Sequence, residues 1–204
     1  MKLRFLLTAT AFALAITHSH AAIISATSAT TNMGSGFGTL LSNTINGVGL
    51  SSLSLTATHT ATLPNNSWVS AGILTGDITF GLGGLHTLDG FSFWNQNNGG
   101  PGALGSTGIQ NLLISYSPDN VTFLPLPGAP TAFDQATTAI SAAEQYSFVP
   151  VIARSVRFTV QSNYGDAAQT GFAEIKFSGA AVPEPGTALF GLALCGVAVT
   201  RRRR

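Results

Sequence analysis

Charge is what this chain lacks most. Only 8% of its residues are Asp, Glu, Lys or Arg. Six of its nine basic residues crowd into the two ends, as Lys2, Arg4 and Arg201 to Arg204. Residues 22–182 keep three (Arg154, Arg157 and Lys176) against seven acidic side chains, a net charge of −4. That region has no basic patch to hold phosphates, which excludes nucleic acid as a partner. Cysteine is nearly missing too: the single Cys195 lies in the C-terminal apolar stretch. Without disulfides, stability is expected to come from a packed core, with a bound metal as the other available source. Between the ends only His59 and His86 remain. Two isolated histidines without cysteine make no zinc cluster. They offer a Ser-His-Asp triad little, and no Gly-x-Ser-x-Gly elbow is present. The glycine-rich GSGFG at 34–38 lacks the lysine and helix of a phosphate loop. The acids sit mostly at turns without aromatic companions, unlike the paired carboxylates of a glycosidase. The sequence therefore predicts a protein without catalytic activity.

Long hydrophobic runs are absent as well. Phe5 to Ile16 follows Lys2 and Arg4 and precedes Ser19-His20-Ala21, which is the pattern of a secretory signal peptide over residues 1–21. Gly186 to Thr200 is uncharged but only fifteen residues long, short of the ~20 that span a bilayer comfortably. It stands between Pro183-Glu184-Pro185 and the four arginines Arg201, Arg202, Arg203 and Arg204, which would stay on the cytoplasmic side. The order of these three parts closely resembles the PEP-CTERM sorting signal of Gram-negative bacteria. The resemblance implies export through the inner membrane, a transient anchor there, cutting near the Pro-Glu-Pro by an exosortase, and a final place at the cell surface or outside the cell. It also implies an association with exopolysaccharide.

Alternating apolar residues fill the space between the ends, and helix signals are nearly absent. Ile78 and Phe80 alternate with Asp77 and Thr79, and Phe91 and Phe93 with Ser92 and Trp94. Val156, Phe158 and Val160 take one face of a strand; Ile175 and Phe177 point inward while Glu174 and Lys176 point outward. Turn residues separate the runs, as at Pro118-Asp119-Asn120 and Asn163-Tyr164-Gly165-Asp166. Many short strands with one apolar face predict a two-layered β-sandwich. In the Ser/Thr/Ala/Gly-rich residues 23–60, Leu50, Leu53 and Leu55 suggest a strand that pairs back onto the domain. Arg154 and Arg157 are expected to anchor the sandwich through carboxylates or carbonyls.

From Trp68 to Phe177 the order of motifs resembles the discoidin (coagulation-factor type C) domains. The quoted stretches are NNSW (65–68), ITFGLGG (78–84), LHTLDGFSFWN (85–95), IQNLLISYSPDNVTFLPL (109–126), VIARSVRFTVQSNYG (151–165) and GFAEIKF (171–177). The resemblance implies an all-β, jelly-roll β-sandwich of galactose-binding-like type. Together with the signals at the two ends it gives the expected domain map: signal peptide 1–21, discoidin-like domain 22–177, linker 178–185, single apolar anchor helix 186–200 and basic tail 201–204.

Two sites are expected. The resemblance implies a weak structural calcium ion held by Asn65, Asn66 and Ser67 on one loop and by Glu174 opposite, with no Asp in the loop to strengthen it. A sugar site needs an aromatic face with amides at its edge. WNQNNGG (94–100) offers Trp94 with Asn95, Gln96, Asn97 and Asn98; NYGD (163–166) offers Asn163, Tyr164 and Asp166. The rival reading makes Trp94 a cap on the core and the asparagines shapers of a turn. The partners expected are polysaccharide and the sorting exosortase; the different-class alternative is a purely structural matrix or surface-layer protein without a small ligand.

Overall fold

A computed structural model of the chain describes residues 22–98 and 104–183. The expected signal peptide, anchor helix and terminal arginines lie outside the described residues. Ten strands form in the order β1 (Ala22–Ile24), β2 (Ser28–Thr31), β3 (Thr58–His59), β4 (Trp68–Val69), β5 (Gly76–Asn95), β6 (Leu112–Ser117), β7 (Leu124–Pro125), β8 (Ser141–Ala142), β9 (Glu144–Val160) and β10 (Gly171–Ala181). One 3-10 turn, Leu41–Thr44, is the only helical piece among the described residues. β10 runs through residues 178–181, which the sequence suggested as linker, and Ala181 pairs with His86.

The two leaves are made by strands long enough to serve both. β5 and β9 form an antiparallel ribbon from Gly76↔Val160 to Phe93↔Glu144. Its register slips between Gly81 and His86, where residues 82–85 bulge against a single opposing residue, and a bulge of this kind bends a strand. Gly83 sits in this bulge at φ 76°, a left-handed conformation that glycine adopts without strain. Before the bulge β5 is flanked by β2; after it, by β10. The first leaf is therefore β2, β5, β9, β6 and β7, and the second is β1, β10, β5 and β9 with β4 at the end of β10.

The leaves meet through phenylalanine. Phe80 of the first leaf packs edge-on against Phe177 of the second at 6.0 Å, and Phe91 of the second meets Phe158 of the first at 5.7 Å. Phe93 stacks on Phe133 at 3.9 Å and on Phe172 at 5.4 Å. Each such side chain contributes about 1.5–3 kcal/mol through burial, and the edge-on pairs add to that. The inward faces are those that the alternation predicted: Ile78, Phe80, Phe91, Phe93, Val156, Phe158, Val160, Ile175 and Phe177 are all buried.

The outward face of the second leaf departs from the expectation. Glu174 and Lys176 do point away from the phenylalanine core, yet they are 0% and 4% exposed. Residues 45–60 lie across them as a third layer. The sheet grips this cover through side chains. Ser92 Oγ donates to Leu55 O (2.7 Å), Trp94 Nε1 to Ala57 O (2.8 Å) and Lys176 Nζ to Ile45 O (2.9 Å); Gly47 N donates to Glu174 Oε2 (3.0 Å). Those four residues are cross-strand neighbours, Glu174↔Trp94 and Lys176↔Ser92. The strand expected at Leu50 to Leu55 does not form. Leu50 makes one bridge to His59, and Leu53 is exposed. Arg157 is held by Thr79 Oγ1, to which its Nε donates at 3.1 Å, and its guanidinium stacks over Phe123 at 3.7 Å, in place of the expected carboxylate or carbonyl.

Candidate functional site

The tight GSGFG loop opens one end of the sandwich. Gly34 and Gly38 take φ of 65° and 72°. Gly36 N donates to Val69 O (2.8 Å), and a Cβ on Gly36 would lie 2.5 Å from Ser70 O. Trp68 Nε1 donates to Gly34 O and Ser35 Oγ (2.9 and 3.1 Å). Pinned on both sides, the loop pushes Phe37 outward. Phe37 is 76% exposed and itself sits at φ 51°, a region costly for a side chain larger than glycine.

Phe37 stands at the rim of a cleft of about 180 Å³. Thr62, Leu63 and Pro64 form one wall, Thr39 and Val69 another, with Gln96, Asn98, Thr107 and Gln169 completing the lining alongside Ser67. No ionisable side chain among the described residues lines it. Apart from Glu174 Oε1, which faces Lys176 Nζ, five buried side-chain oxygens lack a hydrogen-bond partner among the described residues. Three of them, Thr62 Oγ1, Gln96 Oε1 and Thr107 Oγ1, belong to residues of this cleft, and a fourth, Ser106 Oγ, is adjacent in sequence. Buried polar atoms are normally satisfied, so such a cluster calls for a polar guest or water.

Of the residues chosen from sequence for sugar contact, Gln96 and Asn98 line this cleft, whereas Trp94, Asn95, Asn97, Asn163, Tyr164 and Asp166 do not. Trp94 is 0% exposed and its indole binds Ala57 O, so its ring offers no face to a ligand. Asn95 is also buried: Nδ2 donates to Ile109 O and Asp134 O, and Oδ1 accepts from Gln96 N and Ile109 N. Asn97 donates to Thr60 O and Ala139 O and accepts from Thr62 N at 2.7 Å, which fixes the wall residue Thr62. Asn163 Nδ2 donates to Gln169 O at 2.6 Å, fixing Gln169 in the same way. The Tyr164 hydroxyl donates to Phe133 O, and burial raises its pKa. Alternation explains the split along 95–98: Asn95 and Asn97 turn into the fold, while Gln96 and Asn98 reach the cleft. Phe37 was missed; its one signal in the sequence is an aromatic residue flanked by glycines.

The expected calcium ligands do not fit the ion. Asn65 is exposed. Asn66 Oδ1 accepts from Leu63 N (2.6 Å) and its Nδ2 donates to Ala61 O (3.1 Å), while Ser67 Oγ donates to Leu63 O (2.8 Å), so these side chains staple their own loop. Glu174 Oε1 already faces Lys176 Nζ at 2.7 Å. Burial raises the Glu174 pKa to about 7, against the opposing pull of Lys176 and the Gly47 amide. No group of three or more His, Cys, Asp or Glu among the described residues is placed to hold a metal. A second carboxylate, Glu144, is also raised by burial and is occupied: its Oε2 accepts from Asp134 N (2.8 Å) and the Tyr146 hydroxyl (2.5 Å).

Residues 181–204 match the PEP-CTERM protein-sorting motif. No curated protein matches the chain. Solved structures do. CpGH89CBM32-5 from Clostridium perfringens, in complex with GalNAc-β-1,3-galactose, is 17% identical over 74% of this chain and 93% of its own, with a TM-score of 0.54. The family 32 carbohydrate-binding module of C. perfringens NanJ, in complex with galactose, is 13% identical over 74% and 92%, with a TM-score of 0.52. The CBM32 of AlyQ, in complex with 4,5-unsaturated mannuronic acid, is 20% identical over 76% and 97%, with a TM-score of 0.51. The chain thus joins a PEP-CTERM sorting motif to the discoidin-like jelly-roll fold of the family 32 carbohydrate-binding modules.

Proposed function

We propose that this is an exported, non-catalytic protein that holds an uncharged sugar unit of a polysaccharide in the cleft beside Phe37. The reading rests on one observation: three residues whose buried oxygens have no partner among the described residues, Thr62, Gln96 and Thr107, line a small cleft that has an exposed aromatic ring at its rim and no ionisable side chain among its described lining residues. Ring stacking and hydroxyl–amide hydrogen bonds are what a neutral sugar offers, and partnering such oxygens gives orientation as well as affinity. A uronate would bring a carboxylate with no cation to meet it. The sorting motif supports delivery through the inner membrane, with an exosortase as processing partner and the cell's own exopolysaccharide as the target at the surface.

The test is calorimetric titration of the secreted protein with neutral and uronate-rich polysaccharides, repeated with Gln96→Leu. Binding of the neutral polymer that Gln96→Leu removes, in a protein that still melts cooperatively, supports the site. A folded wild type that binds neither polymer overturns it and leaves the purely structural matrix role.

A further inference from the structure

We propose that the ammonium of Lys176 is the resident cation of the third layer, filling the role that the sequence resemblance gives to calcium and making the fold independent of divalent metal. The Lys176 Nζ lies between two oxygens, Glu174 Oε1 at 2.7 Å and Ile45 O at 2.9 Å. The second oxygen of the same carboxylate accepts from Gly47 N at 3.0 Å, so the 45–47 turn closes around the pair from both sides. Gly47 holds this turn at φ 79°, and a Cβ there would come within 4.0 Å of the ammonium. Both charged residues are almost fully buried.

Charge and coordination number decide between the two cations. With Glu174 ionised, Lys176 and Glu174 together are neutral, as a buried pair must be. A calcium ion in the same place would leave a surplus positive charge beside a buried ammonium. Calcium also needs six to eight oxygens, whereas Nζ has one carboxylate and one carbonyl, close to what an ammonium's three donors use. The Asn66 and Ser67 side chains that would add oxygens are turned to the backbone of residues 61–63. A cation tied to the chain cannot be lost by dilution or removed by a chelator, which suits a protein sent outside the cell.

The experiment is a thermal melt of the secreted protein in millimolar calcium and in excess chelator. A resident calcium site at a hundredfold excess over its Kd shifts Tm by roughly 5–11 °C; the expected shift is less than about 1 °C. Lys176→Met is expected to melt well below wild type, because Glu174 is left buried and alone. The double variant Glu174→Gln/Lys176→Met is expected to recover most of the loss. A wild-type Tm that rises with calcium or falls with chelator overturns the proposal. So does a Lys176→Met variant that melts like wild type. If Lys176→Met fails to fold, the wild-type comparison and the double variant decide.

Discussion

Replacing Trp94 with phenylalanine separates the two roles that the sequence allows for it. The indole is fully buried, packs with Ala57 and Ala173, and donates to Ala57 O at 2.8 Å. Phenylalanine keeps most of the ring but removes the donor. The carbonyl of Ala57 is then left buried without that partner, at a cost of about 1–3 kcal/mol. The smaller ring also leaves a void, which adds about 1 kcal/mol. The sum, about 2–4 kcal/mol, sits within the total of roughly 5–15 kcal/mol of an ordinary domain, so the variant still folds at room temperature. For a chain of this size that is a drop of about 4–16 °C in Tm. Differential scanning calorimetry reads the drop, and titration with the neutral polysaccharide reads affinity, which is expected to stay unchanged. A Trp94→Phe protein that keeps its Tm but loses its ligand refutes the reasoning: the ring would then be a contact surface and not a brace.

Phe37→Gly is the opposite experiment. Glycine relieves the left-handed backbone and removes the exposed ring, so stability should stay within about 1 kcal/mol of wild type while sugar affinity falls at least about tenfold; chemical denaturation and titration measure the two. Gly49→Ala should cost more than about 1 kcal/mol in the same denaturation assay. Its φ is 100°, and a Cβ would lie 2.4 Å from His59 Nε2, inside the third layer. The pH profile carries a further prediction. The Glu174 carboxyl, raised by burial to about 7 from 4.5, binds its proton more tightly folded than unfolded. Its contribution is fully present below pH 4.5 and is lost as pH rises through 7. Glu174→Gln removes this slope, so the variant should gain on wild type as pH rises from 4.5 to 7. Burial lowers the His59 pKa and so gives a slope of opposite sign in both proteins; the difference between the two denaturation series isolates Glu174.

The leaves were legible because period two is enforced by burial of one face. Phe91, Phe93, Val156 and Phe158 had to share a side, and they do. The third layer was not legible. Glu174 and Lys176 alternate with Ile175 and Phe177 as solvent-facing residues would, and nothing local distinguishes a solvated charge from one buried under a distant loop. In residues 45–60, Leu50, Leu53 and Leu55 suggested a strand, but the segment is held instead through backbone carbonyls and amides, at Ile45, Gly47, Leu55 and Ala57, which no side-chain pattern records. The site was half legible for the same reason. The amide-rich stretch after Trp94 was the right neighbourhood, but only Gln96 and Asn98 line the cleft. Phe37 is distant in sequence and is brought there by the glycine loop.

The pairing of the first and last strands has a mechanical consequence. Ala22 lies opposite Gly179, and β10 runs between β1 and β5 before the chain leaves at Val182 and Pro183. Any tension applied through the C-terminal residues is therefore transmitted along β10 and loads its flanking hydrogen bonds side by side, so that they resist together instead of peeling one after another. A tethered protein hauled on from that end would have its strongest seam in the line of the pull.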